Sequence, residues 1–499
     1  MITIVQQVLK SIEDHSSDNA FCIEDVFYTY SDFAKYISKI QYVIKKQVGA
    51  NETNVGLIAN NDIETYAAII ALWLEGKAYV PINPEAPLER NINIIEQSNI
   101  STIIDSCGHN AYSNYNLINP ISIPFNSFQI SLVNRNENNL AYILFTSGTT
   151  GTPKGVPITL YNLKHFTKAM WDLGYKIESS DRCLQMFELT FDFSVVSYVV
   201  PLLKGACIYT TSKEQIKYLD VYRLIKDYQL TVLPMVPSIL NYLRPFFKKI
   251  KAPSVRFSIF CGEALNLDII DEWFTCVSNS DIINFYGPTE ATVFCTYYKF
   301  NPIKENKAYN GVMCIGKPMK FNDIIIIDQN NKVLGENQKG ELCISGSQLT
   351  NGYWNNKELN EKAFFYTTHK NEYKRFYKTG DECFFDDDFD IMYVSRIDFQ
   401  AKIQGYRVEL SEIEYYSKQS LSDLNLVAVI VKNKFKNNEI ALAIEGAKIE
   451  THSILKYLKT KLPDYMIPSK IIFLDRLPLN LNGKTDRKKI SNLIEYKNE

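Results

Sequence analysis

Residues 144–156 read LFTSGTTGTPKGV, and between Thr146 and Gly155 they gather three glycines, a run of Ser and Thr hydroxyls and one lysine. That composition suits a polyphosphate. Glycines let backbone N–H groups approach phosphate oxygens and adopt positive φ, hydroxyls add donors, and Lys154 adds a point charge. The apolar run AYILF just before it reads as a buried strand that delivers the loop. The pattern is not a Walker A loop, GxxxxGK[ST], because Gly155 follows Lys154 where a Ser or Thr is required. On these residues alone a surface turn competes evenly with a nucleotide site.

The rest of the chain sets bounds. With 499 residues, 46% of them hydrophobic, it can bury large cores and should divide into two or more domains. Lys and Arg number 54 against 56 Asp and Glu, a net charge of −2, which offers no field for nucleic acid or an anionic membrane. The ten cysteines are scattered, without a CxxC pair or zinc-like Cys/His spacing, and are read as reduced and mostly buried. No apolar run approaches the ~18 residues needed to span a bilayer. The N-terminal stretch MITIVQQVLKSIEDHSSD lacks the apolar core of a signal peptide. No nucleic-acid partner, no membrane insertion and a cytoplasmic location are expected.

Outward from the loop, the first 140 residues alternate helical patterns, VQQVLKSIEDH and YSDFAKYISKIQYVIKK, with short apolar strands, VGLIA, AYVPI and STIID. That rhythm predicts a parallel or mixed sheet covered by helices. After the loop, YNLKHFTKAMWDLGY predicts an amphipathic helix. FELTFDFSVVSYVVPLLKGACIY, 187–209, holds a single acid, Asp192, inside an apolar run. Such an acid is costly unless it is paired, caps a helix or faces an incoming cation. LTVLPMVPSILNYL and VRFSIFCGEALN each read as strand, turn and helix, the order that builds a crevice at strand C-termini. NFYGPTEATVF, 284–294, sets the Tyr286 ring beside a Gly-Pro turn and then Thr289 and Glu290. This suits stacking on a base and a carboxylate for Mg²⁺ on phosphate oxygens. Residues 324–354 carry two β-rich runs broken by Gly and Asn turns, predicting a hairpin layer or small barrel. A domain boundary is placed at Arg396–Asp398, where a short charged segment precedes a new α+β pattern.

TSGTTGTPKG, NFYGPTEAT, YKTGD (377–381), RIDFQAKIQGYRVELSEIE (396–414) and LNGKTDRKKI (481–490) together, in this order, resemble the successive motifs of the adenylate-forming superfamily. The resemblance is nearest to D-alanine:D-alanyl carrier protein ligases and stand-alone amino-acid adenylation enzymes. It implies an α/β, acyl-CoA synthetase-like fold: a large N-terminal adenylation domain of sheets layered with helices, 1–396, and a small mobile α+β domain, 397–499. It implies ATP as substrate, with Mg²⁺. By the same resemblance Thr146, Ser147, Gly148, Thr149, Thr150, Gly151 and Lys154 hold phosphates. Gly262, Glu263, Ala264, Asn284, Phe285, Tyr286 and Gly287 surround the adenine, Thr289 touches the α-phosphate, and Glu290 holds the metal. Asp381 accepts from the ribose hydroxyls and Arg396 contacts ribose or phosphate. Lys484 is implied as the catalytic lysine, acting with Thr146, Lys154 and Glu290, Asp398 as the hinge, and Gly405 as the opening of a pantetheine channel. The FDFS match implies that Asp192 binds an α-ammonium group, in a pocket lined by Phe193, Val196, Pro234, Ile259, Cys261, Phe285, Val293 and Phe294.

The implied activity is that of an AMP-forming ligase making a carbon–sulfur bond: an amino acid is activated as its adenylate and passed to the phosphopantetheine thiol of a carrier protein. Asp192, Cys261 and DFQAKIQGYR favour D-alanine, whereas the bulk of Phe193, Phe285 and Phe294 favours another small apolar amino acid. No carrier segment follows Glu499 and no condensation domain precedes Met1, so a separate carrier is expected, with the chain itself a monomer. Two other readings stay open. An acyl- or aryl-CoA ligase would not need Asp192 at the carboxylate site, and a non-catalytic binding module would have lost Lys484, Glu290 or Asp381.

Overall fold

The apolar runs form strands whose side chains are buried on both faces, as expected where helices cover both sides of a parallel sheet. The computed structural model describes residues 2–125, 129–132, 136–148, 151–398, 400–421, 424–446, 448–479 and 485–496. Two compact units result: Met1–Pro84, Ile95–Leu144 and Gly155–Ile397 in one, Glu85–Ile94, Phe145–Lys154 and Asp398–Glu499 in the other. The division therefore runs one residue later than the 396/397 boundary. It also assigns two earlier segments to the second unit, because their contacts are made with later residues, which periodicity along the chain does not encode.

The first unit holds a nine-stranded sheet in the order Lys317–Pro318, Thr296–Lys299, Asp281–Tyr286, Phe257–Phe260, Val232–Met235, Arg182–Gln185, Cys207–Thr210, Asn19–Ile23, Val26–Thr29. The pairings from Asp281–Tyr286 through Asn19–Ile23 are parallel, and Thr296–Lys299, Lys317–Pro318 and Val26–Thr29 are added antiparallel at the two ends. A six-stranded sheet runs Asn116–Ile118, Thr102–Ile104, Asn54–Ile58, Ala78–Ile82, Leu140–Thr146, Lys154–Thr159, and so includes VGLIA, AYVPI and STIID. The helices between follow their sequence signals. Ile4–Asp14, Tyr30–Gln47 and Leu160–Asp172 each begin with a capping box, Thr3/Gln6, Thr29/Asp32 and Thr159/Asn162. Ile63–Leu74 and Phe193–Leu202 are apolar all round and almost wholly buried. A five-stranded antiparallel layer, Asn322–Ile327, Gly340–Gly346, Glu372–Phe385 and Phe364–His369 with Ile391–Arg396 alongside, is the hairpin layer expected of residues 324–354.

In the second unit the hairpin Gln400–Ile403/Tyr406–Glu409 precedes the helix Leu410–Ser420. A three-stranded sheet, Leu426–Lys432, Asn438–Glu445 and Lys470–Leu474, packs with the helices His452–Lys459 and Arg487–Tyr496. No helix among the described residues is long and apolar enough to cross a membrane. All ten cysteines are free, nine of them buried and Cys107 exposed.

Candidate active site

Asp192 sits at the N-cap of the helix Phe193–Leu202, in right-handed helical backbone, and makes no side-chain cap hydrogen bond. Helix capping therefore does not account for a carboxylate that is only 7% exposed. Around it the first unit assembles aromatic rings. Phe285 stacks on Phe294 with centroids 4.1 Å apart, Phe193 stacks on Phe187 at 4.5 Å, and Phe193 meets Phe294 edge-on at 6.2 Å. Phe166 packs edge-on against Phe294 at 4.9 Å. Pro234 and Ile259 are register partners on neighbouring parallel strands, and Cys261 follows Phe257–Phe260 directly. Val196, Val293, Ile259 and Cys261 are all buried. Phe187 and Phe166 join this cluster and were not among the expected lining residues, while Tyr142 packs on Tyr79 with centroids 5.7 Å apart. Burial, with Tyr79 and Asp192 nearby, pushes the Tyr142 phenol well above its usual range.

NFYGPTE forms the end of the strand Asp281–Tyr286 and a single 3₁₀ turn, Thr289–Ala291. Asn284 donates its amide to Cys314 O at 3.0 Å, which ties the strand end to the following bridge. The Tyr286 hydroxyl donates to Asp381 Oδ2 at 2.6 Å, and Arg396 Nη1 lies 3.0 Å from Asp381 Oδ1. Arg396 also donates to Thr379 O at 2.9 Å, and Gly380 takes φ of 71° to turn the chain beneath Asp381. YGPTE, YKTGD and Arg396 are therefore one hydrogen-bonded assembly. Burial and the Asp381 carboxylate push the Tyr286 phenol well up. Glu263 Oε2 accepts from the Ser238 backbone N–H at 2.8 Å, beside Gly262 at φ of 92°.

Glu290 is fully buried. Its Oε1 accepts from the Tyr353 hydroxyl at 2.5 Å, the Tyr353 and Tyr377 hydroxyls lie 3.2 Å apart, and its carbonyl accepts from the Thr350 N–H at 2.8 Å. A buried carboxylate is a hard oxygen donor of the kind Mg²⁺ takes. Tyr353 and Thr350 belong to LTNGYW, which sequence reading treated only as part of a β-rich run. Gly287 has a local reason to be glycine. A Cβ there would lie 2.3 Å from Phe294 Cα and 2.8 Å from Val293 O. Elsewhere in the first unit, Lys307 Nζ lies 2.6–2.7 Å from each of Asp386, Asp388 and Asp390, so that acidic cluster already holds a cation.

The phosphate-type loop is described in the second unit. The Ser147 hydroxyl donates to Arg407 O at 2.7 Å and accepts from the Glu409 N–H at 3.2 Å. Gly151 turns at φ of 81°, its N–H reaches Gly148 O at 3.2 Å, and its carbonyl accepts from the Tyr416 hydroxyl at 3.2 Å. A Cβ on Gly148 would collide with Thr152 O at 2.0 Å, so this glycine is required by closure of the loop itself. Lys154 Nζ lies 3.8 Å from Glu409 Oε1, and Arg90 pairs with Glu412 at 2.5 Å. Burial pushes the Glu409 carboxyl above its usual range while Lys154 draws it back. Thr146 Oγ1 is buried and has no hydrogen-bond partner among the described residues. Asp398 Oδ1 accepts from the Gln400 N–H at 3.0 Å. Gly405 occupies the hairpin turn with Gln404, at φ of 88° and 50°, and this turn by itself calls for glycine. Thr149, Thr150 and Lys484 lie outside the described residues.

A family profile described as AMP-binding enzyme matches residues 9–354. Tyrocidine synthase 3 of Brevibacillus parabrevis is 30% identical over 97% of this chain and 8% of its own length. Gramicidin S synthase 1 of Brevibacillus brevis is 30% identical over 98% of this chain and 44% of its own length. The chain thus spans less than half the length of these curated relatives. Among solved structures, the Vibrio cholerae adenylation domain AlmE, in complex with glycyl-adenosine-5′-phosphate, superposes with a TM-score of 0.86 at 24% identity, covering 99% of this chain and 98% of that one. PA1221, an NRPS protein containing adenylation and PCP domains, gives 0.84 at 19% identity over 98% and 84%.

Proposed function

Since the chain belongs to the AMP-binding enzyme family, we propose that it activates a small amino acid with ATP and passes the aminoacyl group to a phosphopantetheine thiol on a carrier protein. The observation that carries this reading is Asp192, a buried carboxylate directly before Phe193, whose ring packs in a cluster of aromatic side chains. A carboxylate so placed is matched to an α-ammonium group, which fatty and aryl acids lack. The mutually packed Phe193, Phe285 and Phe294 rings favour a substrate with a small side chain, glycine ahead of D-alanine. The description of AlmE with a glycyl adenylate and of PA1221 with a PCP domain supports the small substrate and the carrier partner.

In the first half-reaction an oxygen of the amino-acid carboxylate bonds to the α-phosphorus of ATP and pyrophosphate leaves. Asp192 fixes the ammonium end, Asp381 and Arg396 the ribose, and Tyr286 the base. Thr146, Ser147, Gly151 and Lys154 hold phosphate oxygens, and Lys484 neutralises charge developing between carboxylate and α-phosphate. Glu290 would hold Mg²⁺, which when bound neutralises polyphosphate charge. In the second half-reaction, the thiol sulfur bonds to the acyl carbon and AMP leaves, with Asp398 as hinge and Gly405 as the thiol's approach.

Amino-acid-dependent ATP–pyrophosphate exchange across D- and L-amino acids, run beside Asp192→Ala, tests this. Exchange should peak with glycine or alanine and fall at least a hundredfold in the variant. Exchange only with acids that lack an amino group, indifferent to Asp192, would instead indicate an acyl- or aryl-CoA ligase.

A further inference from the structure

Thr292 and Val293 are the only β-branched residues with positive φ among those described, at 55° and 71°, and they are consecutive. A branched side chain crowds its own backbone in that region, so the conformation persists only where surrounding contacts enforce it. The residues it separates matter for the site: Glu290 stands before it and Phe294, stacked on Phe285, after it.

Gln348 enforces it. This side chain is wholly buried, and its amide nitrogen donates to Ala291 O at 3.2 Å and to Phe294 O at 2.9 Å, bracketing the strained pair. Its main-chain carbonyl accepts from the Thr292 hydroxyl at 2.5 Å, and its Oε1 accepts from Asn322 Nδ2 at 2.8 Å. Two carbonyls on one side and an NH₂ group on the other fix which end of the amide faces the strained turn. Only a group with two donors and one acceptor at that reach satisfies all the partners. An aliphatic side chain would leave two carbonyls buried and unpaired, and a carboxylate would face them with like partial charge.

Resting on the amino-acid-activating reading, we propose that Gln348 is a positioning residue that sets side-chain size selectivity. It holds the Phe294 carbonyl, and through it the depth of the Phe294 ring against Phe285 and Phe193, while touching no substrate atom itself. Released, the Thr292–Val293 backbone can relax towards negative φ and carry the ring away, enlarging the pocket.

The test is ATP–pyrophosphate exchange by the full chain and its Gln348→Leu variant, with glycine, both alanines, valine and leucine, titrating amino acid and ATP separately. The preferred amino acid should show a KM raised at least tenfold, with the KM for ATP changed less than threefold. The ratio of kcat/KM for the next larger side chain to that for the preferred one should rise at least tenfold. Equal increases in both KM values with an unchanged ratio would mean a merely loosened fold and would overturn the inference. Should Gln348→Leu fail to fold, Asn322→Ala, which frees the far oxygen of the same amide together with the longer bonds to the Met319 and Lys320 carbonyls, should move the ratio at least threefold in the same direction. An unchanged ratio there overturns the inference equally. Absence of amino-acid-dependent exchange in the unaltered protein would overturn the underlying function as well, a result separate from unchanged selectivity in an active variant.

Discussion

Tyr353→Phe removes one oxygen atom from the wall around Glu290. The hydroxyl donates to a fully buried carboxylate at 2.5 Å and lies 3.2 Å from the Tyr377 hydroxyl. A hydrogen bond to a charged group contributes about 1.5–3 kcal/mol, because its loss leaves that charge less well solvated inside the protein. For a unit of the length of the first one, the entropy of unfolding near the midpoint is roughly 0.8 kcal/mol/K, so the melting transition should fall by about 2–4 °C. The ring stays, so no cavity is created and packing terms cancel. If Glu290 is the metal carboxylate, the variant should also need several-fold more Mg²⁺ for half-maximal exchange, since the carboxylate loses the donor that orients it. Differential scanning calorimetry and exchange at varied Mg²⁺ measure the two effects. An unchanged melting temperature together with an unchanged Mg²⁺ requirement would refute the argument that Tyr353 supports Glu290.

Gly287→Ala should abolish exchange and lower stability by about 1–3 kcal/mol, because the new Cβ meets only backbone, Phe294 Cα at 2.3 Å and Cys295 N at 3.0 Å, which cannot rotate away; retention of activity and melting temperature would contradict this. Lys484→Ala should reduce adenylate formation by about 10²–10³-fold while sparing thioester formation from supplied adenylate; equal loss of both steps in single-turnover assays would deny it a role specific to the first. Glu409, with its carboxyl raised above the ordinary 4.5 by burial, takes up a proton more readily folded than unfolded. Its contribution is fully present below about pH 4.5 and is lost as pH rises through the raised value. Glu409→Gln should therefore flatten the decline in stability of the second unit above pH 4.5, and parallel pH–stability curves for the two proteins would count against it.

Local patterning carries most of the secondary structure. The period of VQQVLKSIEDH with its Thr3/Gln6 box makes a helix, and the unbroken apolar runs make doubly covered strands, because both depend on neighbours within a few residues. Five motifs in order also made the family legible. Other features depend on residues far apart in the chain. The 63-residue separation between Tyr353 and Glu290, and the 54 and 57 residues between Gln348 and its two carbonyl partners, leave no periodic trace. Nor does the packing of Glu85–Ile94 and Phe145–Lys154 with the chain beyond Asp398. Glycine shows the contrast most plainly. Its enrichment in the motifs is visible in sequence, yet Gly148 is required by Thr152 O, Gly287 by the Phe294 backbone and Gly405 by a hairpin turn. Which residue types are available, and which faces are buried, follows from the order of amino acids alone. Which buried donor meets which buried carboxylate or carbonyl follows only from the folded chain, because that pairing is set by strand order and register rather than by spacing along the sequence.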